Sequence, residues 1–578
     1  MESIMQNASL DLTSRERWLF ALLLVAFMSF GLFDHSFWSP NDSREGAMIW
    51  DMYHAGRWVT PTLNGIPYLE KPPLLHWTGL VLCKAFGTVN EGLVRLPAAL
   101  FGLGALWISL LWARQMGRER AGFAAAFMCA TSFKFMEYSK VVLTDTSVAF
   151  VVVGSLYLFW RAYTATEGRA WRMASFVLAS ALAFYAKGLI GPGLIWVSVG
   201  LYLLYRREWK LCIALPLAFL PVFALVIAPW AWSLWQAGGM EFIRGVFWDN
   251  QFGRFLNFND PNLPRDPYFV HKEAWYYYLL TLPGALLPWT LAVIPALIYW
   301  FRPRQGPRDA LSVFLRFCVV GMLLVLHASS AKVSSYALPL FPILFLMTAV
   351  WIEEAAARWE TKLTRWTLSL TAGLLALAAW LVPVLYAGLF VLPEFVRNRY
   401  LEGMDILRDV GRGPALFTLL LAVLLLGFVG VADRYLRSAF RAGRRSWSFL
   451  TLPAAYAVVV TMAGAVVFPI YDMQRSYKPF ATLLQYEMRQ GRLVTLAVYE
   501  EKYIGAFTFY TGTRIPSVPF SAEIRTILAA TDKPVGVLVK TKDLQKHSAE
   551  WGLDSFKALR PVHGGYMSDK FRLLVNDR

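Results

Sequence analysis

The sequence predicts a polytopic α-helical membrane protein with a C-terminal α/β extracytoplasmic domain. Of its 578 residues 57% are hydrophobic, and the mean hydropathy is +0.44. Soluble globular domains contain roughly 45–50% apolar residues, glycine included. Apolar runs recur along the chain, and about 20 such residues suffice for a helix to cross roughly 30 Å of hydrocarbon. The composition therefore excludes an ordinary soluble protein for most of the chain.

A hydropathy window of about 19 residues predicts about thirteen membrane spans. The fifth and sixth are short, because YAKGLIGPG (residues 185–193) interrupts them. An odd number of spans puts the two termini on opposite sides of the membrane. The predicted spans are residues 17–34, 91–112, 121–137, 145–162, 173–187, 189–205, 212–235, 276–300, 310–328, 336–354, 366–391, 414–433 and 449–470.

Arginine-rich loops indicate which side of the membrane each terminus occupies. The net charge is +17, and alternate short loops such as 114–120 and 434–445 carry clusters of arginine. Loops of this kind remain in the cytoplasm, so we expect a cytoplasmic N-terminus and an extracytoplasmic C-terminus. The first span has no A-x-A site after it and is typical of an uncleaved signal anchor. The basic balance is therefore a topology signal, and nucleic acid is not an expected partner.

Three outward segments are too long to be simple turns. They are residues 35–90, 236–275 and 471–578. The last has soluble composition, with β-rich runs such as RLVTLAVY (492–499) and GVLVKT (536–541) between helix-like stretches. We therefore predict a membrane domain over residues 1–470, with two large outward loops, and a soluble α/β domain over 471–578.

The first outward loop begins with a helix signal that contains an acid. SPND (residues 39–42) fits a capping box with proline at the first helical position. The following residues predict a short helix that lies along the membrane surface and ends near Gly56. Asp42 then has two interpretations from the residues alone: it caps this helix, or it belongs to an active site. The continuation, residues 56–77, is too apolar for a free loop and should pack on the bundle.

A series of motifs resembles one family. NDSREGAMIWDMYHAGRWVTPTLNGIPYLEKPPLLHWTG (41–79), KVVLTDTSVAF (140–150), AKGLIGP (186–192) and SSAKVSSYALPLFP (329–342) occur in this order. Their order and spacing, within residues 15–345, resemble the lipid-linked-sugar glycosyltransferases of the GT-C class, bacterial relatives of dolichyl-phosphate-mannose protein mannosyltransferases. Within the class the chain is most similar to 4-amino-4-deoxy-L-arabinose lipid A transferases. One departure is clear: that family usually has Asp-Glu where this chain has Asn41-Asp42.

The resemblance implies a GT-C fold, an undecaprenyl-phosphate-linked sugar donor and lipid A as acceptor. It also implies a multi-pass protein of the bacterial inner membrane whose C-terminal domain lies in the periplasm. Two alternatives remain. One is a protein O-mannosyltransferase or another polyprenyl-phosphate-sugar transferase. The other is a lipid transporter or flippase, which usually shows internal repeats and ionisable groups near span centres, whereas the charges here gather at span ends.

Such a transferase must hold a lipid phosphate, stabilise it as a leaving group, and present an acceptor. The first two tasks need fixed cations. A hydroxyl acceptor would need a base, for which Asp42 and Asp145 are candidates, whereas a phosphate acceptor would need none. The candidate phosphate and substrate ligands are Arg44, Lys71, Lys187, Arg254, Lys332 and Tyr336.

Each candidate also has a purely structural explanation. The cations can be interfacial side chains whose charged ends reach water. Lys71 fits this explanation less well, because a lysine followed by two prolines is costly at membrane depth without a partner. Asp145 can cap the following span. The resemblance also brings Glu70 and His271 into consideration as ligands of a divalent metal ion, for which an interfacial histidine with ordinary hydrogen bonds is the alternative.

Overall fold

The computed structural model describes residues 12–38, 40–253, 273–302, 306–307, 309–358, 362–391, 415–498, 500–529, 533–561 and 569–576. A helical bundle forms the larger part, and a small mixed sheet with helices follows it. The helices up to the end of the bundle are α1 (Ser14–Ser29), α2 (Pro40–Ala55), α3 (Leu74–Phe86), α4 (Glu91–Gln115), α5 (Glu119–Thr131), α6 (Phe133–Tyr138), α7 (Asp145–Tyr163), α8 (Arg169–Leu182), α9 (Phe184–Lys187), α10 (Ile190–Tyr205), α11 (Trp209–Ile243), α12 (Tyr277–Ala285), α13 (Thr290–Phe301), α14 (Ala310–Ala328), α15 (Phe341–Arg358), α16 (Lys362–Val391), α17 (Ala415–Arg441) and α18 (Arg445–Arg475).

Helices occupy every one of the predicted spans. Within the part of the chain that the structure describes, six helical segments are long and apolar enough to cross a membrane, and α3, α10 and α13 are shorter apolar helices. Several predicted spans are divided, as where Ser132 separates α5 from α6. A π-helical stretch, Arg244–Gly253, continues α11 into the second outward segment. The helical bundle is thus established, whereas the number of crossings stays a prediction.

The first outward segment is more ordered than the sequence indicates. After α2, a two-residue hairpin pairs β1 (Thr62–Leu63) with β2 (Ile66–Pro67). Its turn uses Asn64 and Gly65, both with positive φ, which is the usual chemistry of a tight hairpin turn. Residues 74–86, predicted only as packed chain, form α3, because two prolines precede an apolar run and can begin a helix but not continue one.

The C-terminal part forms a four-stranded mixed sheet. Its strands are β3 (Leu493–Leu496), β4 (Val535–Lys540), β5 (Lys557–Leu559) and β6 (Phe571–Val575). They are ordered β3-β4-β6-β5, with β3 and β4 parallel and the other two pairs antiparallel. Apolar side chains from β4 and β6 form the centre of this unit, where Val537, Leu538 and Leu573 are fully buried. The helices are α19 (Lys478–Arg489), α20 (Glu501–Thr511), α21 (Glu523–Leu528) and α22 (Thr541–His547).

The C-terminal unit lies directly on the first outward segment. Helix α20 packs along α2 so closely that a Cβ on Gly505 would meet the Cα of Arg44 at 2.8 Å. Asn64 donates to the Ile515 carbonyl at 2.8 Å. The sequence predicts that α2 rests its apolar face in the membrane interface, but α20 covers it and Met48 and Met52 are fully buried. The physical reason is that Gly505 has no side chain, so the backbones of α20 and α2 can lie in contact.

Candidate active site

A fully buried carboxylate, that of Glu45 in α2, is the centre of the candidate site. Its Oε1 accepts hydrogen bonds from Lys71 Nζ at 2.8 Å and from Arg44 Nη2 at 2.9 Å. His76 Nε2, from α3, lies 2.9 Å from Oε2. Two cations and an imidazole therefore converge on one carboxylate, and the side chains of Arg44 and Lys71 remain about one-seventh exposed, at 15% and 14%.

The outer side of this cluster carries further acids. Glu70 contacts the hydroxyl of Tyr68 and lies 3.9 Å from Lys71 Nζ. Glu501, the first residue of α20, accepts from Arg44 Nη1 at 3.1 Å. The Arg44 guanidinium also lies over the Tyr68 ring, 5.4 Å from its centre. The C-terminal unit thus contributes a side chain to the site formed by residues 44–76.

Their surroundings shift the pKa values of Glu45 and Glu501 in opposite directions. Burial alone would raise the pKa of Glu45, but Lys71, Arg44 and His76 outweigh it and hold the pKa well below its ordinary value. Burial raises the pKa of Glu501, and Arg44 only partly opposes the change. Glu45 is consequently an anion at neutral pH, and Glu501 is the acid of the site that takes up a proton more easily.

A second buried ion pair joins α7 and α9. Lys187 Nζ donates to Asp145 Oδ1 at 2.7 Å and lies 4.0 Å from the centre of the Tyr336 ring. Asp145 is in the first turn of α7, but its carboxylate is directed to Lys187 and Thr144 makes no side-chain cap. Lys187 thus has a carboxylate partner of its own, and an aromatic ring lies against its ammonium group.

The backbone around Lys187 is specialised for this position. Gly188 has φ +76°, and a Cβ there would meet the Gln251 carboxamide oxygen at 1.8 Å. The same oxygen accepts from the Leu189 N–H at 2.9 Å. Only glycine permits both the left-handed conformation and this approach. The interruption that the sequence shows at residues 185–193 is therefore what directs Lys187 toward Asp145.

Asp42 lies in a different environment from these two groups. Its Oδ2 accepts from Arg95 Nη2 at 2.7 Å and Nε at 3.0 Å, and its Oδ1 accepts from the Val142 N–H at 2.8 Å. Arg95 is fully buried and also donates to the carbonyls of His35 and Ser36. The pair joins α2 and α4 to the segment before α2 and to the segment before α7. Ser39, the first residue of the predicted capping box, lies outside the described residues.

The remaining predicted ligands separate into two groups. Lys332 is buried and donates to the carbonyls of Ser329 and, at 3.4 Å, Glu273, so it joins two backbone segments. Arg254 and His271 lie outside the described residues. Within the described ranges, no group of three or more His, Cys, Asp and Glu side chains is placed to hold a metal ion. The predicted metal ligand Glu70 contacts Tyr68 and Lys71 instead.

Sequence reasoning missed four residues of this region: Glu45, His76, Arg95 and Glu501. For Glu45 a local signal exists, because it follows Asp42 by three residues on the same helix and so shares its side of α2. His76 lies in the motif of residues 41–79, where its neighbours in the sequence give no sign of an acidic partner. Arg95 and Glu501 meet their partners only through the tertiary fold, across 53 and 457 residues, and nothing local marks them.

The arrangement favours the handling of an anionic group. Arg44, Lys71 and Lys187 supply fixed positive charge in a mostly buried setting, where charge-assisted hydrogen bonds are strong. Among the described side chains, the buried Arg44 Nε and His76 Nδ1 have no hydrogen-bond partner. Buried polar atoms of this kind are normally satisfied. The Arg44 Nε–H is therefore a donor that Glu45 does not engage.

Comparisons with known proteins agree with this chemistry. The family model for dolichyl-phosphate-mannose-protein mannosyltransferase matches residues 48–242. An undecaprenyl phosphate-alpha-4-amino-4-deoxy-L-arabinose arabinosyl transferase of Pseudomonas fluorescens (strain Pf0-1) is 28% identical over 358 residues, which is 60% of each chain. One from Pectobacterium carotovorum subsp. carotovorum (strain PC1) is 26% identical over 460 residues, or 76% of this chain and 75% of that one. The match thus spans about 60% of the length of the Pseudomonas fluorescens protein.

A solved structure resembles nearly the whole chain. It is the crystal structure of ArnT from Cupriavidus metallidurans bound to undecaprenyl phosphate, with a TM-score of 0.72 and 17% identity. The match covers 98% of this chain and 99% of that one. At this identity the likeness establishes the fold. The chain has the fold of ArnT, and its predicted resemblance to the lipid-linked-sugar glycosyltransferases of the GT-C class is confirmed.

Proposed function

We propose that the protein transfers 4-amino-4-deoxy-L-arabinose from undecaprenyl phosphate to a phosphate group of lipid A. The sugar and the carrier come from the names of the similar transferases, and the acceptor comes from the family resemblance. One observation on this chain carries the proposal: Arg44 and Lys71 pair with the buried Glu45 carboxylate, and Lys187 pairs with that of Asp145. The cations can stabilise the negative charge of a phosphate leaving group, and a carboxylate can stabilise the positive charge that develops on the sugar.

The proposed reaction exchanges one glycosidic bond for another. An oxygen of the acceptor phosphate attacks the anomeric carbon, and the bond from that carbon to the carrier phosphate breaks. Undecaprenyl phosphate leaves with the bonding electrons, and Lys71 and Arg44 neutralise its growing negative charge. The acceptor phosphate is already a nucleophile, so no side chain has to remove a proton.

Among the carboxylates, we assign Asp145 to the reacting sugar. Its Lys187 partner holds the carboxylate in place at 2.7 Å, and a fixed anion stabilises the positive charge that develops at an anomeric centre. Tyr336, against the Lys187 ammonium, is a further substrate contact. Arg254 and Lys332 remain proposed phosphate ligands, and Asp42 acts through Arg95 by holding α2 in position.

The topology is part of the same proposal. Residues 1–470 form the membrane domain with about thirteen spans, as the hydropathy indicates, and residues 471–578 form a periplasmic α/β domain. The protein lies in the bacterial inner membrane with its N-terminus in the cytoplasm. The contact between α20 and α2 supports this topology, because it requires the tail and the first outward segment to share one side.

A divalent metal ion near Glu70 and His271 is also proposed. Carboxylate and imidazole are suitable ligands for such an ion, and Glu70 is next to Lys71 at the mouth of the site. We expect a chelator to lower transfer, and we expect Glu70→Gln to remove that sensitivity. Full activity of chelator-treated protein would contradict this part of the proposal and leave the rest intact.

A transfer assay with purified protein tests the main proposal. The protein is incubated with undecaprenyl-phosphate 4-amino-4-deoxy-L-arabinose and lipid A, and mass spectrometry detects lipid A that has gained the aminopentose. Lys71→Ala should lower turnover at least about a hundred-fold, since one lost charge-assisted contact to the transition state is worth roughly 2.7–4 kcal/mol. No product with wild-type protein would refute the proposal.

The second candidate is a protein O-mannosyltransferase, because the matching family model describes that activity. Its acceptor would be a hydroxyl group, which needs a general base. Asp145 is the available carboxylate for that role. Transfer of mannose to a protein, with lipid A unmodified under the same conditions, would favour this candidate.

A further inference from the structure

A group of basic side chains surrounds Tyr503 in the C-terminal unit. The ammonium nitrogens of Lys502, Lys540 and Lys570 lie 5.0, 5.1 and 4.8 Å from the centre of its ring. Lys540 ends β4, and the strand pairing sets it opposite Phe571, the residue after Lys570. Three cations from three different elements therefore meet at one end of the sheet. We call Lys502, Lys540 and Lys570 the lysine triad.

One carboxylate is shared by two members of the triad. Glu500 pairs with Lys502 at 2.5 Å and also with Lys540, on which Asp543 acts as well. Burial and the positive charges of Lys502, Lys540, Arg475 and Lys542 lower the pKa of Lys570 to about 8. An anion bound beside Lys570 would reduce this repulsion among the ammonium groups.

The position of the triad specifies the kind of anion. Arg475 ends α18, the helix that contains the last predicted span, and acts electrostatically on Lys570. The predicted topology therefore puts the triad where the chain leaves the membrane. It is also next to the candidate active site, because Ser43 donates to the Lys502 carbonyl at 2.7 Å and Glu501 contacts Arg44.

We propose that the lysine triad binds a phosphate group carried by a lipid at the outward membrane surface. Three ammonium donors around one aromatic ring suit a phosphate monoester, which presents up to three acceptor oxygens and nearly two negative charges. The phosphate can belong to the phosphorylated glycolipid acceptor or to an anionic phospholipid. The acceptor source rests on the proposed function, whereas the phospholipid source does not.

Binding measurements on the full-length protein in detergent test the proposal. The probes are lipid A, lipid A from which both phosphates have been removed, phosphatidylglycerol and inorganic phosphate. Lys570→Gln should weaken binding of the phosphorylated lipid about ten-fold, the value of one charge-assisted contact. The matched control is Lys533→Gln, because Lys533 is exposed and precedes β4, at the opposite end of that strand from Lys540.

Charge reversal separates binding from folding. Lys570→Glu replaces repulsion by attraction, so we expect an equal or higher melting temperature together with loss of lipid binding. A weakened affinity for lipid A alone identifies the acceptor as the source, and an equal effect on phosphatidylglycerol identifies bulk phospholipid. Unchanged affinity of Lys570→Gln for both lipids, or an effect on inorganic phosphate alone, would overturn the proposal. These binding outcomes do not depend on transfer, so a failure of the proposed function remains distinguishable.

Discussion

Replacing Asp42 by alanine tests whether this carboxylate is structural or catalytic. In the structure Asp42 accepts two hydrogen bonds from Arg95 and one from the Val142 N–H. Arg95 is fully buried and keeps only backbone carbonyls when the carboxylate is removed. The substitution therefore leaves a buried guanidinium without its counter-ion, which is the costly way to break a buried pair.

The expected destabilisation distinguishes this role from a helix cap. Removing one partner of a buried ion pair costs roughly 3–5 kcal/mol, whereas losing a cap costs about 1 kcal/mol. The unfolding entropy of about 2.1 cal/mol/K per residue, applied to a cooperative unit of 578 residues, converts each kcal/mol into about 0.8 °C. Asp42→Ala should therefore lower the melting temperature by about 2.5–4 °C, and a lost cap by about 0.8 °C.

Buried cysteines provide the assay. Cys83, Cys129 and Cys318 are free and buried, so a thiol-reactive fluorescent dye reports unfolding of the detergent-solubilised protein. Asp34→Ala is the matched control. Asp34 lies close by in the chain, its side chain is 41% exposed, and its partner is His35, so this change should alter the melting temperature by less than about 0.5 °C.

A specific combination of results would refute the reasoning. If Asp42→Ala melted at the wild-type temperature and yet lost transfer, Asp42 would be catalytic and the Arg95 pair would be incidental. If Asp42→Asn, which retains one acceptor oxygen, melted as low as Asp42→Ala and both retained full turnover at low temperature, the structural role would stand alone.

Three further predictions concern the site, and a fourth concerns the C-terminal unit. Glu45→Gln should lower turnover about a hundred-fold or more by releasing Lys71 and Arg44 from their fixed positions, measured as kcat in the transfer assay. The pKa of Glu45 lies well below its ordinary value of 4.5. The ionised carboxylate therefore stabilises the fold above pH 4.5, and this contribution is lost as pH falls further. Tryptophan fluorescence should show a shallower acid unfolding transition in Glu45→Gln than in the wild type. Asp145→Asn and Lys187→Met should be strongly non-additive in a double-mutant cycle, because the two side chains form one pair. Arg514→Ala should loosen the C-terminal unit by removing its pair with Asp51, measured as faster proteolysis near residue 476.

Periodic features of the sequence predicted most of the architecture. Hydropathy located a helix at each expected span, since membrane helices must be apolar over their whole length. The order of motifs from residue 41 to residue 342 gave the fold class. The second helix of the first outward segment, α3, was missed because its 13 residues are too short to stand out from a packed loop.

The site was predicted only in part, for a physical reason. Lys71, Arg44, Asp145 and Lys187 were found because cations and acids are rare in apolar surroundings and so stand out locally. Their pairing could not be predicted, because Lys187 and Asp145 are 42 residues apart and meet only through the packing of α7 and α9. Glu501 illustrates the limit, since it reaches the site from a unit that the sequence separates as its own domain.

The departure Asn41-Asp42, where related transferases usually have Asp-Glu, is accounted for by the position of each side chain on α2. Asn41 is exposed, while Asp42 is buried against Arg95, so the acid that this chain retains is the one that holds the helix in place. Glu45 lies one helical turn beyond Asn41 and three residues beyond Asp42, and it supplies the carboxylate on which Lys71, Arg44 and His76 converge. It follows that substitutions at Asn41 should affect transfer less than substitutions at Glu45, although Asn41 is the residue that the motif itself would single out.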